Sequence, residues 1–297
     1  MVLSLLFLAF CRQCSGFFQI STTLWVTGSF DNPAGFAACL CAGFPFVGFL
    51  LSDSNKYIRY VGGLIGFVIV IAVILSQSRA GIMSIAFICF ILLNMKFFHK
   101  RWVKYLSLLC FALLLSGCYW MKKDSADGRL LIWRCSVSMV KDAPWLGHGI
   151  GSFEARYMDY QADYFRQYGL NRYSMLADNV KHPFNEYLGV LLNFGFVGLL
   201  MILALITLLI YCYKKHPCAE KRIAFYSLIS IGVFSFFSYT FTYPFTWIVT
   251  FLCIIILTKE YIAKVFTCPI IKNTVCIFIL LCSFWGIYNL VKRVMAE

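Results

Sequence analysis

Charge is scarce in this sequence. Only 13% of its 297 residues are Asp, Glu, Lys or Arg, against about 25% in an ordinary soluble domain. That shortage, with 61% hydrophobic residues, excludes a soluble globular protein. Acidic residues are rarer than basic ones, 13 against 26, so the net charge is +13. Catalytic signatures are missing too: no Ser-His-Asp arrangement, no HExxH, no DxD-like pair and no ladder of intramembrane acids. Hydrolase, metalloprotease and ion-pump chemistry therefore have no support. The glycines of GHGIGSF at 147–153 do not have the GxGxxG spacing and follow no buried strand, which removes nucleotide binding. The sequence calls for neither a metal nor a cofactor. The 14 cysteines lie mostly in apolar runs, where Cys acts as a small hydrophobe, and the CxxC of Cys11 and Cys14 has no second pair.

What the chain has instead is long apolar runs. A spanning helix needs roughly 20 mostly apolar residues. Runs near 34–51, 60–76, 80–95, 105–120, 187–212, 223–239, 244–258 and 274–290 predict an all-α polytopic bundle of eight or nine spans. The whole of 1–297 reads as one membrane domain. Residues 2–11 are apolar but stop at Arg12, too short to span and without the flanks of a signal peptide. The expectation is a chain that begins partway through a helix. The basic residues sit in short loops at 52–59, 96–104, 213–222 and 259–273. By the positive-inside rule these loops are cytoplasmic. The positive charge thus reports topology, and nucleic acid is not an expected partner.

The segment 121–187 is then outside, and it holds eight of the 13 carboxylates. A partly helical extracytoplasmic loop is predicted here, with a helix starting near Arg129, capped by Ser125 or Asp127 and ending before Pro144. Its apolar side is Leu130, Leu131, Trp133, Val137 and Val140. A Gly-punctuated turn follows, its glycines allowing close packing, and then an aromatic-rich helix over 153–168, suited to a membrane interface.

Within this frame six residues carry the chemistry. Arg79, in SQSRAG between two spans, offers a guanidinium fork for phosphate oxygens or snorkels to water. Arg129 and Arg134, five apart and about 140° apart on a helix, suit a pyrophosphate or lipid headgroups. His182, Asn185 and Glu186 stand where the loop meets the next span, either as a general base with its neighbours or as helix caps. His148 reads as incidental.

Four landmarks stand in a fixed order: TGSFDNPAGFAA at 27–38, SQSRAG at 76–81, GRLLIWR at 128–134 with DAPWLGHGIGSF at 142–153, and HPFNEYLGVLLNFGFVGLL at 182–200. Together they resemble the O-antigen ligase and polymerase family of bacterial envelope enzymes. The resemblance implies an enzyme of the bacterial cytoplasmic (inner) membrane with its active site on the periplasmic face. It implies transfer of a glycan from undecaprenyl pyrophosphate to a lipid A–core, glycan or protein acceptor. By resemblance, Arg79 and Arg129 bind the donor pyrophosphate, His182 serves the acceptor hydroxyl, and Asn185 matches the motif asparagine; Arg134 has no firm counterpart. The ligase branch is the first reading; the polymerase and protein O-oligosaccharyltransferase branches stand beside it. A flippase of lipid-linked glycan, the non-enzyme alternative, fits less well, because the chain shows no internal repeat. Two departures from the family pattern are Phe184, where many members have a second histidine, and the shortage of spans before residue 27, which suggests a fragment.

Overall fold

The computed structural model describes residues 30, 32–96, 101–121, 123–169 and 171–266. Among these the secondary structure is entirely helical. The expected span at 274–290 and the segment 2–11 lie outside the described residues. Ten α-helices are described: α1 Pro33–Gly43, α2 Val47–Leu51, α3 Lys56–Leu75, α4 Arg79–Lys96, α5 Arg101–Met121, α6 Lys123–Asp142, α7 Ser152–Tyr168, α8 Glu186–Lys215, α9 Ala219–Phe237 and α10 Pro244–Phe266. Four stretches are long and apolar enough to cross a membrane: Pro33–Leu51, Lys56–Leu75, Glu186–Lys215 and Pro244–Ile262. Arg79–Met95 is a shorter apolar helix.

Local chemistry sets the boundaries. Asn32 caps α1 by accepting from the Gly35 N–H at 2.8 Å, with Pro33 in the first turn, where its missing N–H is harmless. Asn55 does the same for α3 through the Tyr57 N–H, 2.9 Å away. Ser78 accepts from the Gly81 N–H at 3.3 Å at the start of α4.

Helix α9 is the hub, packing on α4, α10, α1 and α8. Small polar residues let these helices approach and bind one another, as membrane helices do. Ser227 donates to the Ala42 carbonyl at 2.6 Å, Ser230 to the Cys41 carbonyl at 2.7 Å and Tyr187 to the Gly232 carbonyl at 3.0 Å. At the Lys215 end of α8, the fully buried Lys221 pairs with Glu260 at 2.5 Å and Lys259 with Glu220 at 2.9 Å. The outward sides of α3, α5 and α8 are rows of exposed Leu, Ile and Phe, such as Leu64, Phe67, Leu109, Leu113, Leu200 and Leu203, surfaces suited to lipid. Cys39, Cys41, Cys135, Cys212 and Cys253 are buried in the packing, in keeping with their reading as small hydrophobes.

Two expectations about the polar segment need correction. Helix α6 starts at Lys123, six residues before Arg129, so Ser125 and Asp127 lie inside it and cap nothing. No proline lies between Lys123 and Pro144 to stop the helix ahead of Arg129. The buried side of α6 is Asp127, Leu131, Ile132, Cys135, Ser136 and Met139, while Leu130 and Val137 are exposed. This stripe follows the i, i+4 rule from Asp127, whose carboxylate accepts from the Tyr119 hydroxyl at 3.2 Å. The aromatic helix is present as α7.

The α6/α7 hairpin is fastened to α8 at a break. Gly195 has φ +61° inside α8, a left-handed region open to glycine. The break leaves backbone groups without helical partners, and in an apolar layer each must be satisfied. The 144–149 turn supplies them. The His148 N–H donates to the Leu192 carbonyl at 2.7 Å and the Gly149 N–H to the Asn193 carbonyl at 3.1 Å. In return the Phe196 N–H donates to the Pro144 carbonyl at 2.8 Å and the Val197 N–H to the Trp145 carbonyl at 3.2 Å. A Cβ on Gly147 would sit 2.6 Å from the Phe194 nitrogen, and one on Gly195 would strike the Trp145 carbonyl. Of the glycines of GHGIG, then, Gly147 alone is closely packed, backbone against backbone, while a Cβ on Gly149 or Gly151 would meet nothing within 4 Å.

Candidate active site

Five of the six residues singled out by sequence, all but Arg134, meet where α4, α6, α8 and the 237–243 segment converge. Arg79 opens α4, and its Nη2 donates to Ser125 Oγ on α6 at 2.9 Å. Arg129 lies one helical turn beyond Ser125. Its Nη1 donates to the Phe237 carbonyl at 2.6 Å, and its guanidinium lies over the Phe184 ring, 5.0 Å from the centroid. Burial holds the pKa of Arg129 down at about 10, and the positive charge of Arg79 adds to the fall. Arg129 remains a cation at neutral pH. Among the described residues no carboxylate forms an ion pair with it.

His182 precedes α8. Its ring stacks on Tyr239 with centroids 4.8 Å apart and planes at 24°. Partial burial lowers its pKa from the usual 6.5, Glu154 opposes that shift, and Lys181 reinforces it. Phe184 meets the same Tyr239 edge-on at 5.3 Å and has φ +53°. Histidine visits this region more readily than most residues, so a second histidine, as in many relatives, would suit this backbone. Pro183 lies before the helix rather than in its first turn, its carbonyl accepting from Trp133 Nε1 at 3.0 Å.

Asn185 is the cap of α8, accepting from the Leu188 N–H at 3.0 Å. Glu186 Oε1 accepts from the Phe241 N–H at 2.7 Å, tying α8 to the 237–243 segment. Arg134 lies elsewhere. Its Nη1 reaches the Tyr164 hydroxyl at 3.4 Å, and its guanidinium lies over Tyr173, as expected for two arginines on different sides of one helix. His148 is occupied by the Met139 carbonyl at 2.7 Å and Arg156 at 2.9 Å.

Sequence reasoning missed Tyr239 and its supports. The Asn32 amide donates to the Tyr239 hydroxyl at 3.4 Å, and Asn32 Oδ1 accepts from the Tyr243 hydroxyl at 3.0 Å. The only local signal was the polar and aromatic string SYTFTYP at 238–244, which reads as a plain turn. An apolar cavity of about 720 Å³ lies between α4, α5, α8 and α9. Tyr187, Phe236 and Phe237 line its upper part, with Met83, Phe87 and Leu115 among the other walls. Arg129 is bonded to the backbone of that same Phe237.

Residues 64–203 match the family model described as O-Antigen ligase. No curated protein sequence matches the chain. The matched stretch contains Arg79, Arg129, Arg134, His182, Asn185 and Glu186 but leaves out Asn32 and Tyr239. It leaves out the first landmark, at 27–38, and takes in the other three. Over residues 64–203 the chain is thus similar to the O-antigen ligase family.

Proposed function

We propose that this protein is a membrane glycan transferase of the ligase type, moving an oligo- or polysaccharide from undecaprenyl pyrophosphate to an acceptor hydroxyl on lipid A–core or another glycan. The observation that carries this reading is Arg129, bonded to the carbonyl of Phe237, which lines an apolar cavity, with the charge of Arg79 near enough to act on it. A lipid pyrophosphate needs both: cationic forks for its oxygens and an apolar channel for its tail. The bundle then has eight or nine spans, with 121–187 and the site on the periplasmic side of the inner membrane and the Lys221–Glu260 end in the cytoplasm, following the positive-inside rule.

In this reading His182 takes the proton of the acceptor hydroxyl. Its lowered pKa keeps the ring neutral, and so able to accept a proton, at neutral pH. The acceptor oxygen bonds to the anomeric carbon as the bond from that carbon to the pyrophosphate oxygen breaks. The charge developing on the pyrophosphate meets Arg129 and Arg79, already in place and partly dehydrated, which is the most effective form of electrostatic catalysis. Tyr239 fixes the plane of His182, and Asn185 and Glu186 hold the start of α8 beneath it.

The test is transfer by the purified protein, in a full-length form if the chain proves longer, from an undecaprenyl-pyrophosphate-linked oligosaccharide to lipid A–core. Transfer that disappears in Arg129→Ala supports the reading; equal transfer in that variant overturns it. Deletion followed by gel analysis of surface glycans separates the branches. Long chains stranded on the carrier mean a ligase, and single unpolymerised units mean a polymerase.

A further inference from the structure

A second cationic centre lies away from the transfer site. Arg134 of α6 and Arg172, in the segment after α7, both lie over the ring of Tyr173, at 5.1 and 4.7 Å from its centroid. Arg172 Nη2 donates to the Tyr173 hydroxyl at 2.6 Å, and Arg134 Nη1 to that of Tyr164 at 3.4 Å. Tyr173 is buried, whereas both arginines are exposed. Contacts with Tyr164 and Tyr173 hold the pKa of Arg134 up, against burial and the like charge of Arg172.

The surrounding carboxylates do not neutralise them. Asp127, whose charge is felt by Arg172, is buried and accepts from the Tyr119 hydroxyl. Asp163 pairs with Arg166 and Glu154 with Lys181, and Asp142 accepts from Tyr160. Among the described residues no ion pair reaches Arg134 or Arg172. A guanidinium has five N–H donors, and here one of Arg134 and one of Arg172 are engaged by tyrosine hydroxyls. Two planar forks with spare donors, held at one place by a buried ring, suit the several oxygens of a phosphate group. Beside them Tyr164 packs against Tyr168 at 4.9 Å, and Tyr168 is 67% exposed, an aromatic face on which a sugar ring can rest.

From this geometry we infer that Arg134 and Arg172, steadied by Tyr173 and Tyr164, form a second oxyanion site that takes a phosphate group, presented either by a phosphorylated saccharide or by a lipid headgroup. The site is distinct from Arg79 and Arg129 and stands whether or not the transfer reading is right.

The experiment uses the whole protein in phosphatidylcholine nanodiscs, carrying Arg79→Gln and Arg129→Gln so that the proposed donor site is silent. The probe is α-D-glucose 1-phosphate, followed by ³¹P line broadening, with glucose as the neutral control followed by saturation-transfer NMR. The sugar phosphate binds and glucose does not. Adding Arg134→Gln and Arg172→Gln weakens binding at least about ten-fold, as loss of two charge-assisted contacts requires. Arg172→Gln alone, which changes only an exposed loop side chain, weakens it measurably and serves if the double change disturbs folding. Phosphatidylglycerol added to the discs distinguishes the sources: competition identifies a lipid headgroup as the occupant, and unchanged binding identifies the saccharide. Unaltered binding in Arg172→Gln, or glucose binding as well as its phosphate, overturns the inference.

Discussion

The two ends of helices α8 and α9 handle charge in opposite ways. At one end, Lys221 and Lys259 are each matched to an acid on the neighbouring helix, Glu260 and Glu220. At the other, Arg129 is pressed into a half-buried position beside a second arginine, held by a carbonyl and an aromatic ring. Burying an ion costs several kcal/mol unless it is paired. The first end lowers that cost internally and fastens α9 to α10. The second carries it, and an anionic ligand is the physical reason to do so. The comparison separates charges that hold the bundle together from charges held ready for a substrate.

The sharpest way to break the comparison is at the second end. His182→Ala should cut turnover about 10²–10⁴-fold, measured as transfer with purified donor and acceptor. The accompanying pH profile gives the sign. Because burial lowers the pKa of His182, the base is neutral above that pKa and lost as pH falls through it. The acid limb of activity should therefore lie below the usual 6.5 and be absent from the residual activity of the variant. Near wild-type transfer by His182→Asn would instead remove the base role. Next comes Arg129→Ala, expected to lower turnover about 10²–10³-fold, as for removal of one donor to a developing oxyanion. Arg79→Lys should also lose activity, since an ammonium cannot reproduce the fork.

Smaller effects sharpen the structural side. Gly195→Ala forces a left-handed φ on a residue with a Cβ and drives that Cβ into Trp145. Strain of about 1–3 kcal/mol should lower the midpoint of thermal unfolding and loosen the α6/α7 hairpin from α8. At the paired end, Lys221→Met should destabilise by about 1–3 kcal/mol, with turnover per folded molecule unchanged. A lost turnover there would erase the contrast between the two ends. Asn185→Ala removes one cap and should cost about 1 kcal/mol, seen in thermal unfolding.

Local sequence made part of this legible. The start of α8 at Glu186, the helix over 152–168 and the close packing at Gly147 all follow from caps, periodicity and turn chemistry. Other features depend on contacts between segments far apart in the chain, which no local rule encodes. Tyr239 becomes a platform only because His182, Phe184 and Asn32 are brought to it. The break at Gly195 is hidden in an apolar run of thirty helical residues, and only the facing 144–149 turn explains it. The early start of α6 at Lys123 has no local signal, because the polar residues 123–128 show no apolar period and no proline or cap marks their boundary.

The central claim is that the arginines serve the donor and the histidine serves the acceptor. Binding of undecaprenyl pyrophosphate to purified wild type, Arg129→Ala and His182→Ala tests it most directly. The account predicts at least about ten-fold weaker binding in Arg129→Ala and nearly unchanged binding in His182→Ala. Equal binding by wild type and Arg129→Ala would contradict it.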